Sequence, residues 1–191
     1  AISFLGLFVR IMEVGYTPKG TSGRVTHKQR AESLNTRGMY SIVRHPLYLG
    51  NFLIWLGIAL VPMNWWFSGI FLLAFWLYYE RIAAAEEDFL RQKFGEQFEE
   101  WAARTPAFLP KLSNWRKPPA LFSLRNVLKR EYTAIGGIAL GHFGIEVIEH
   151  LVIESRLPNE PFWAVFAISA FAIYFGLRAL KRTKLLDVEG R

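Results

Sequence analysis

The sequence predicts an all-helical protein: a polytopic transmembrane bundle with a tight helical hairpin and a cytosolic amphipathic helix. Three observations predict it. Apolar residues, 52% of the 191, are gathered into blocks, and most charged residues lie between them. Four or five blocks approach the roughly 20 residues that a helix needs to cross the hydrocarbon of a bilayer. If every block crosses, all but two of the 23 Lys and Arg residues share one side, as the positive-inside rule requires of a cytosolic face.

Taken in order, residues 1–16 are apolar except for Arg10 and Glu13, which are three apart and expected to pair on one helix face. The run begins at Ala1 already inside the apolar block, so a first span entered part-way is expected rather than a signal peptide. Residues 46–61 and 65–79 are apolar and separated only by Pro62, Met63 and Asn64, which predicts a hairpin whose tip carries Trp65 and Trp66 at the far interface. Residues 86–101 are too polar to span. Phe89, Leu90, Phe94, Phe98 and Trp101 recur there at helical spacing, predicting an amphipathic helix that continues the helix leaving the membrane after Tyr79. Pro106, Pro110, Pro118 and Pro119 then break the chain into loop. Residues 133–153 and 162–180 are two further spans. The organisation expected is a membrane core over residues 1–130 and an additional C-terminal helix pair over 131–191.

The composition narrows the chemistry. With no cysteine, the chain has no disulfide, thiolate metal site or thiol nucleophile. A net charge of +7 suggests nucleic acid or an anionic surface, but the basic residues sit in loops beside helix ends, where topology alone explains them. The bilayer is therefore the expected partner, with no nucleic acid.

Two segments can carry chemistry. In residues 34–51, LNTRGMYSIVRHPLYLGN, Gly38 permits a turn and Pro46 suits the first turn of a helix. His45, preceding proline, is pushed out of the helical region. A helix therefore starts at the membrane surface, with free N–H groups that can receive a carboxylate or phosphate and with Arg44, His45 and Tyr48 grouped around it. Interfacial anchoring by Arg and Tyr explains the same residues. In the second segment, Glu86 and Glu87 precede Leu90, Phe94, Gly95 and Phe98. Adjacent carboxylates just outside a membrane helix can hold a cationic amino group, or form a solvated helix face.

Arg-His-Pro-x-Tyr followed by Glu-Glu-x-x-Leu-x-x-x-Phe-Gly resembles the isoprenylcysteine carboxyl methyltransferase family and the related phospholipid methyltransferases. The likeness extends upstream to Thr36, Gly38 and Tyr40 and downstream from Thr105 and Pro106 to Pro110. It implies S-adenosyl-L-methionine as cofactor, bound between the hairpin and the cytosolic helix after it. It further implies cofactor contacts from Tyr40, His45, Tyr48 and Glu86, with backbone help near Leu34 and Leu49. His45 and Glu86 are the expected catalytic groups, and Arg44 and Glu87 are assigned to the substrate. Some members place an Arg four residues before the acidic position. This chain has Ile82 there, and the neighbouring Arg81 is assigned that role. Glu32 and Asn35 also depart from the family's residues around Leu34.

Methyl transfer suits such a boundary. An in-line displacement at a sulfonium needs positioning and dehydration, worth several to roughly 10 kcal/mol of barrier. A carboxylate or phosphate acceptor needs no base, whereas an amine must lose a proton to His45 or Glu86. The ring faces of Tyr40, Tyr48, Tyr78 and Tyr79 can attract the sulfonium, while Tyr78 and Tyr79 also suit interfacial anchoring. A polar cofactor enters from the cytosol, and an apolar acceptor arrives laterally from lipid.

In the C-terminal pair, His142, Glu146, Glu149 and His150 share one helix face. A metal site, a headgroup contact, and a hydrogen-bonded inner pair with Glu149 and His150 at the far interface are all compatible with the spacing. No metal is assigned. Two other functions fit the whole chain: an NADPH-dependent sterol-reductase-like membrane enzyme, and a non-enzymatic lipid-binding bundle whose basic loops meet anionic headgroups.

Overall fold

The computed structural model describes residues 1–18, 32–158 and 161–188, which are helical with no strand among them. The elements in order are α1 (Ile2–Tyr16), α2 (Met39–Ile42), α3 (Pro46–Ala59), α4 (Trp65–Phe94), α5 (Glu96–Arg104), a 3-10 turn (Leu112–Asn114), α6 (Leu124–Ile153) and α7 (Pro161–Arg182).

Local chemistry sets the helix ends. His45 takes a non-helical backbone and Pro46 opens α3 at its first position. Asn64 caps α4, its Oδ1 accepting from the Phe67 amide at 3.1 Å. Ser123 caps α6 in the same way through the Asn126 amide, at 3.3 Å. Helix α4 has 30 residues, about 45 Å at 1.5 Å per residue, so it continues well past the apolar run that ends at Tyr79. It ends at Gly95, whose φ of 51° lies where a side chain is strained. This corrects the single amphipathic helix expected over residues 86–101. Residues 86–94 are the tail of α4, and α5 leaves in a new direction after the glycine.

Helices α1 and α3 make the closest crossing. A Cβ on Gly6 would stand 2.5 Å from the Gly50 carbonyl oxygen, and one on Gly50 would stand 2.5 Å from Arg10 Cγ. Two hydrogens in place of side chains let the backbones meet and deliver Arg10 to the middle of the bundle. Helix α6 packs on α1 and α3, and α7 packs on α6. One apolar cluster joins Ile42, Val43 and Leu49 beneath the start of α3. A second joins Ile54, Ile58 and Ile138 between α3 and α6.

Arg10 does not pair with Glu13. Its guanidinium grips Glu131 of α6, with Nε to Oε2 at 2.6 Å and Nη2 to Oε1 at 3.0 Å. Glu13 instead accepts from Thr17 and Tyr40 at Oε1, at 2.9 and 3.1 Å. A helix of 15 residues presents several faces, and the bundle turned these two charges towards different neighbours. Helix α6 also runs through residues 130 and 131 without a break, and its Asn126 donates to the Val14 carbonyl at 2.8 Å.

Helices α6 and α7 are long and apolar enough to cross a membrane, and only 11% of each apolar window is buried inside the protein. Helix α3, at 14 residues, is apolar but shorter. Large apolar side chains face outward on several helices, including Trp65, Trp66, Ile70, Trp76, Ile148 and Phe171.

Candidate active site at the start of α3

The site forms where the first turn of α3 meets the middle of α4. Because His45 is held outside the helix by Pro46, its ring lies against α4, with only 7% of the residue exposed. His45 Nε2 lies 2.7 Å from Glu87 Oε1. A carboxylate in an ion pair only accepts, so this nitrogen carries the proton. Arg44 Nη1 donates to the other Glu87 oxygen at 2.9 Å. On the preceding residue of α4, Glu86 Oε2 accepts from the Tyr48 hydroxyl at 2.7 Å and lies 3.8 Å from His45 Nδ1. The His45 and Tyr48 rings stack at 5.2 Å. Residues 44–48 and 86–87 thus close into one hydrogen-bonded cluster.

Burial would raise the Glu87 carboxyl, but the hydrogen bond from His45 and the charge of Arg44 outweigh it and hold the group below its ordinary value. Arg44 keeps its Nε–H buried with no acceptor. Such an orphan in a cleft is a place for a ligand oxygen. Burial, with the Glu13 carboxylate beside it, lifts the Tyr40 phenol well above its usual range, so Tyr40 stays protonated. A small recess is shared by Tyr40, Arg44, His45, Tyr48 and Glu86.

Beside the cluster lies a larger cavity of about 240 Å³ between α3, α4 and the Ala107–Phe108 segment. Its wall combines Phe75, Trp76 and Phe108 with Arg44, His45, Tyr48, Tyr79, Glu80 and Glu87. An apolar body and a polar head can be held there together.

The structure therefore brings together Tyr40, Arg44, His45, Tyr48, Glu86 and Glu87. Leu49 lies just below, buried in the apolar cluster, with its amide bonded to the His45 carbonyl at 3.0 Å. Leu34 precedes α2 and lines neither recess. Arg81 is exposed on α4 and lines neither recess. Sequence reasoning left Asn51 unassigned, although it follows Tyr48 by one helical turn. Its side chain donates to the Tyr79 hydroxyl at 3.0 Å and accepts from Arg10. The available signal was Arg10 itself, an ionisable group inside an apolar run that needs partners.

In α6, His142 Nδ1 lies 2.9 Å from the Ile138 carbonyl and Nε2 lies 3.5 Å from Ser3 Oγ. His150 pairs with Glu146 at 3.6 Å. No group of three or more His, Asp or Glu side chains among the described residues is arranged to hold a metal ion.

A family match covers α1 to the start of α5, and with it both halves of this cluster. Residues 7–97 match the model of the phospholipid methyltransferase family. Over 88 residues the chain is 41% identical to the cobalt-zinc-cadmium resistance protein CzcN of Cupriavidus metallidurans, covering 46% of this chain and 40% of that protein. It is 39% identical to the nickel-cobalt-cadmium resistance protein NccN of Alcaligenes xylosoxydans xylosoxydans, over 46% of this chain and 41% of the relative. It is also 36% identical over 97 residues to protein-S-isoprenylcysteine O-methyltransferase B of Arabidopsis thaliana, over 47% of this chain and 49% of the relative. The chain spans less than half the length of each of these relatives. No solved structure matches it. Within the phospholipid methyltransferase match lie Arg44, His45, Tyr48, Glu86 and Glu87, while α6 and α7 lie beyond it.

Proposed function

We propose that this protein is a multi-pass membrane enzyme that transfers a methyl group from S-adenosyl-L-methionine to a lipid or lipidated acceptor at the cytosolic interface. One observation carries the proposal: Arg44, His45 and Tyr48 close against Glu86 and Glu87, some forty residues away, inside the family match. The membrane setting is supported by α6 and α7, by the outward apolar side chains and by the one-sided basic loops.

The residues present suit the cofactor. Glu86 and the stacked His45 and Tyr48 rings favour a cationic group. The unpartnered Nε–H of Arg44 is left for the acceptor rather than the cofactor. Tyr40, His45, Tyr48 and Glu86 would hold the cofactor, with backbone help near Leu34 and Leu49. When bound, it supplies a methyl group on a positively charged sulfur. The protein's own contribution is to position and desolvate. Phe75, Trp76 and Phe108 give the cavity an apolar wall, beside which charge interactions strengthen once a bound molecule displaces water. Were the acceptor an amine, its proton would pass to Glu86 or His45.

The test is a titration of the purified protein in detergent with S-adenosyl-L-methionine, S-adenosylhomocysteine and NADPH. Binding of the first two is expected, and His45→Ala and Glu86→Ala should each weaken it about tenfold or more with little loss of folding. Binding of NADPH alone would instead support a reductase, and full affinity in both variants would show the site to be misassigned.

A further inference from the structure

The polar groups behind the cavity have a fixed direction, and it starts from Arg10. A guanidinium in a protein only donates. Arg10 gives two N–H groups to Glu131 and a third, from Nη1, to Asn51. The Asn51 oxygen must therefore be the atom facing Arg10, which leaves the amide nitrogen to face Tyr79. That nitrogen has hydrogens and no lone pair, so at 3.0 Å it donates and the Tyr79 oxygen accepts. The Tyr79 proton is then the end of the series. Its hydroxyl has no acceptor among the described residues, and Tyr79 lines the cavity. By contrast, the Tyr48 proton is already committed to Glu86.

Arg44 lines the same cavity, with a buried Nε–H that also lacks an acceptor. The nearby Glu87 charge is answered by Arg44 and His45. Two uncommitted donors beside a largely apolar space suit a molecule with an anionic oxygen head and an apolar tail. An ammonium head has no lone pair for either donor; its competing partner would be the Glu80 carboxylate, which also lines the cavity and is exposed.

We propose that Tyr79 binds the methyl acceptor by donating a hydrogen bond to its oxyanion headgroup, carboxylate or phosphate, and that Glu131, Arg10 and Asn51 are positioning residues that hold Tyr79 in the donor role. This rests on the methyl-transfer assignment for the meaning of the bound molecule. It also gives α6, which lies beyond the family match, a share in the site, because Glu131 is the anchor of the series.

Asn51→Asp tests the direction of the series without changing its shape. An aspartate accepts from both sides, so it would take the Tyr79 proton and leave the ring in place with no donor for the ligand. Dissociation constants would be measured without cofactor for three probes: N-acetyl-S-farnesylcysteine, phosphatidic acid in nanodiscs, and S-farnesylcysteamine as the ammonium counterpart. Tight binding is expected for one of the two oxyanion probes, which identifies the headgroup, and weak binding for the amine. Tyr79→Phe and Asn51→Asp should each weaken that binding about tenfold, and the double variant should be no weaker than either alone. Affinity for S-adenosylhomocysteine should stay within about twofold in both. The proposal is overturned if Tyr79→Phe or Asn51→Asp binds like the wild type, if the amine binds best, or if neither oxyanion binds. Loss of S-adenosyl-L-methionine binding by the wild type would instead sink the methyl-transfer assignment, so the two failures are separable.

Discussion

Replacing Glu131 by Ala should be among the most damaging single changes in this protein, although residue 131 is far in sequence from every motif. Arg10 is 6% exposed and Glu131 is fully buried, and two hydrogen bonds of 2.6 and 3.0 Å join them. Removing one partner of a buried ion pair leaves the other charge uncompensated, at about 3–5 kcal/mol. For a chain of this size each kcal/mol moves the melting temperature by about 2–4 °C. The expected fall is therefore roughly 6–20 °C, readable in detergent from the fluorescence of the seven Trp residues. The control is Arg10→Met combined with Glu131→Leu. Replacing both charges by apolar groups of similar volume is often neutral or stabilising, so the double variant should melt near the wild type. It should nevertheless lose affinity for the acceptor, because nothing then orients Asn51 towards Tyr79. If Glu131→Ala melts within about 2 °C of the wild type, or if the double variant is damaged as badly as the single one, the buried pair does not have the role assigned to it.

Two further outcomes are expected at the site and its approach. Glu87 is held below its ordinary value of 4.5, so it contributes stability that is complete above that value and lost as pH falls through the lower folded value. Melting curves from pH 7 down to about 3.5 should steepen below about 4.5, and Glu87→Gln should lessen that steepening; identical slopes would contradict the pairing with His45 and Arg44. Gly95→Ala adds a Cβ that meets nothing within 4 Å, so its cost is backbone strain alone, about 1–3 kcal/mol. Hydrogen exchange should show it as faster opening of α5, where Phe98 is buried and Trp101 donates to the Tyr40 carbonyl at 2.9 Å. Unchanged protection there would show that φ at Gly95 is not under constraint.

Much of the fold was legible because its signals are local. Pro46 favours a helix start wherever it is placed, Asn64 and Ser123 cap the helices that begin beside them, and apolar runs of sufficient length become helices. The end of α4 was missed for a related reason. Apolar positions continue at helical spacing from Phe89 to Trp101, and that periodicity outweighed Gly95, whose positive φ breaks the helix. Within the site, Arg44, His45, Tyr48, Glu86 and Glu87 were identifiable as two motifs, although only as neighbours by resemblance. Arg81 was carried over from a position one residue away, and a shift of one residue on a helix turns a side chain by about 100°, here outward.

By itself the sequence determined most of the helices and the two short motifs, because each depends on periodicity, composition or residue type within a few turns. Partnership across the bundle was decided only by the tertiary structure. Arg10 chose Glu131, some 120 residues away, over Glu13 on its own helix, because the glycines at the α1–α3 crossing bring its side chain to a buried position where α6 supplies the nearest carboxylate. The direction of hydrogen bonding from Arg10 through Asn51 to Tyr79 exists only once those three helices are packed, since no donor can be assigned until its acceptor is in place.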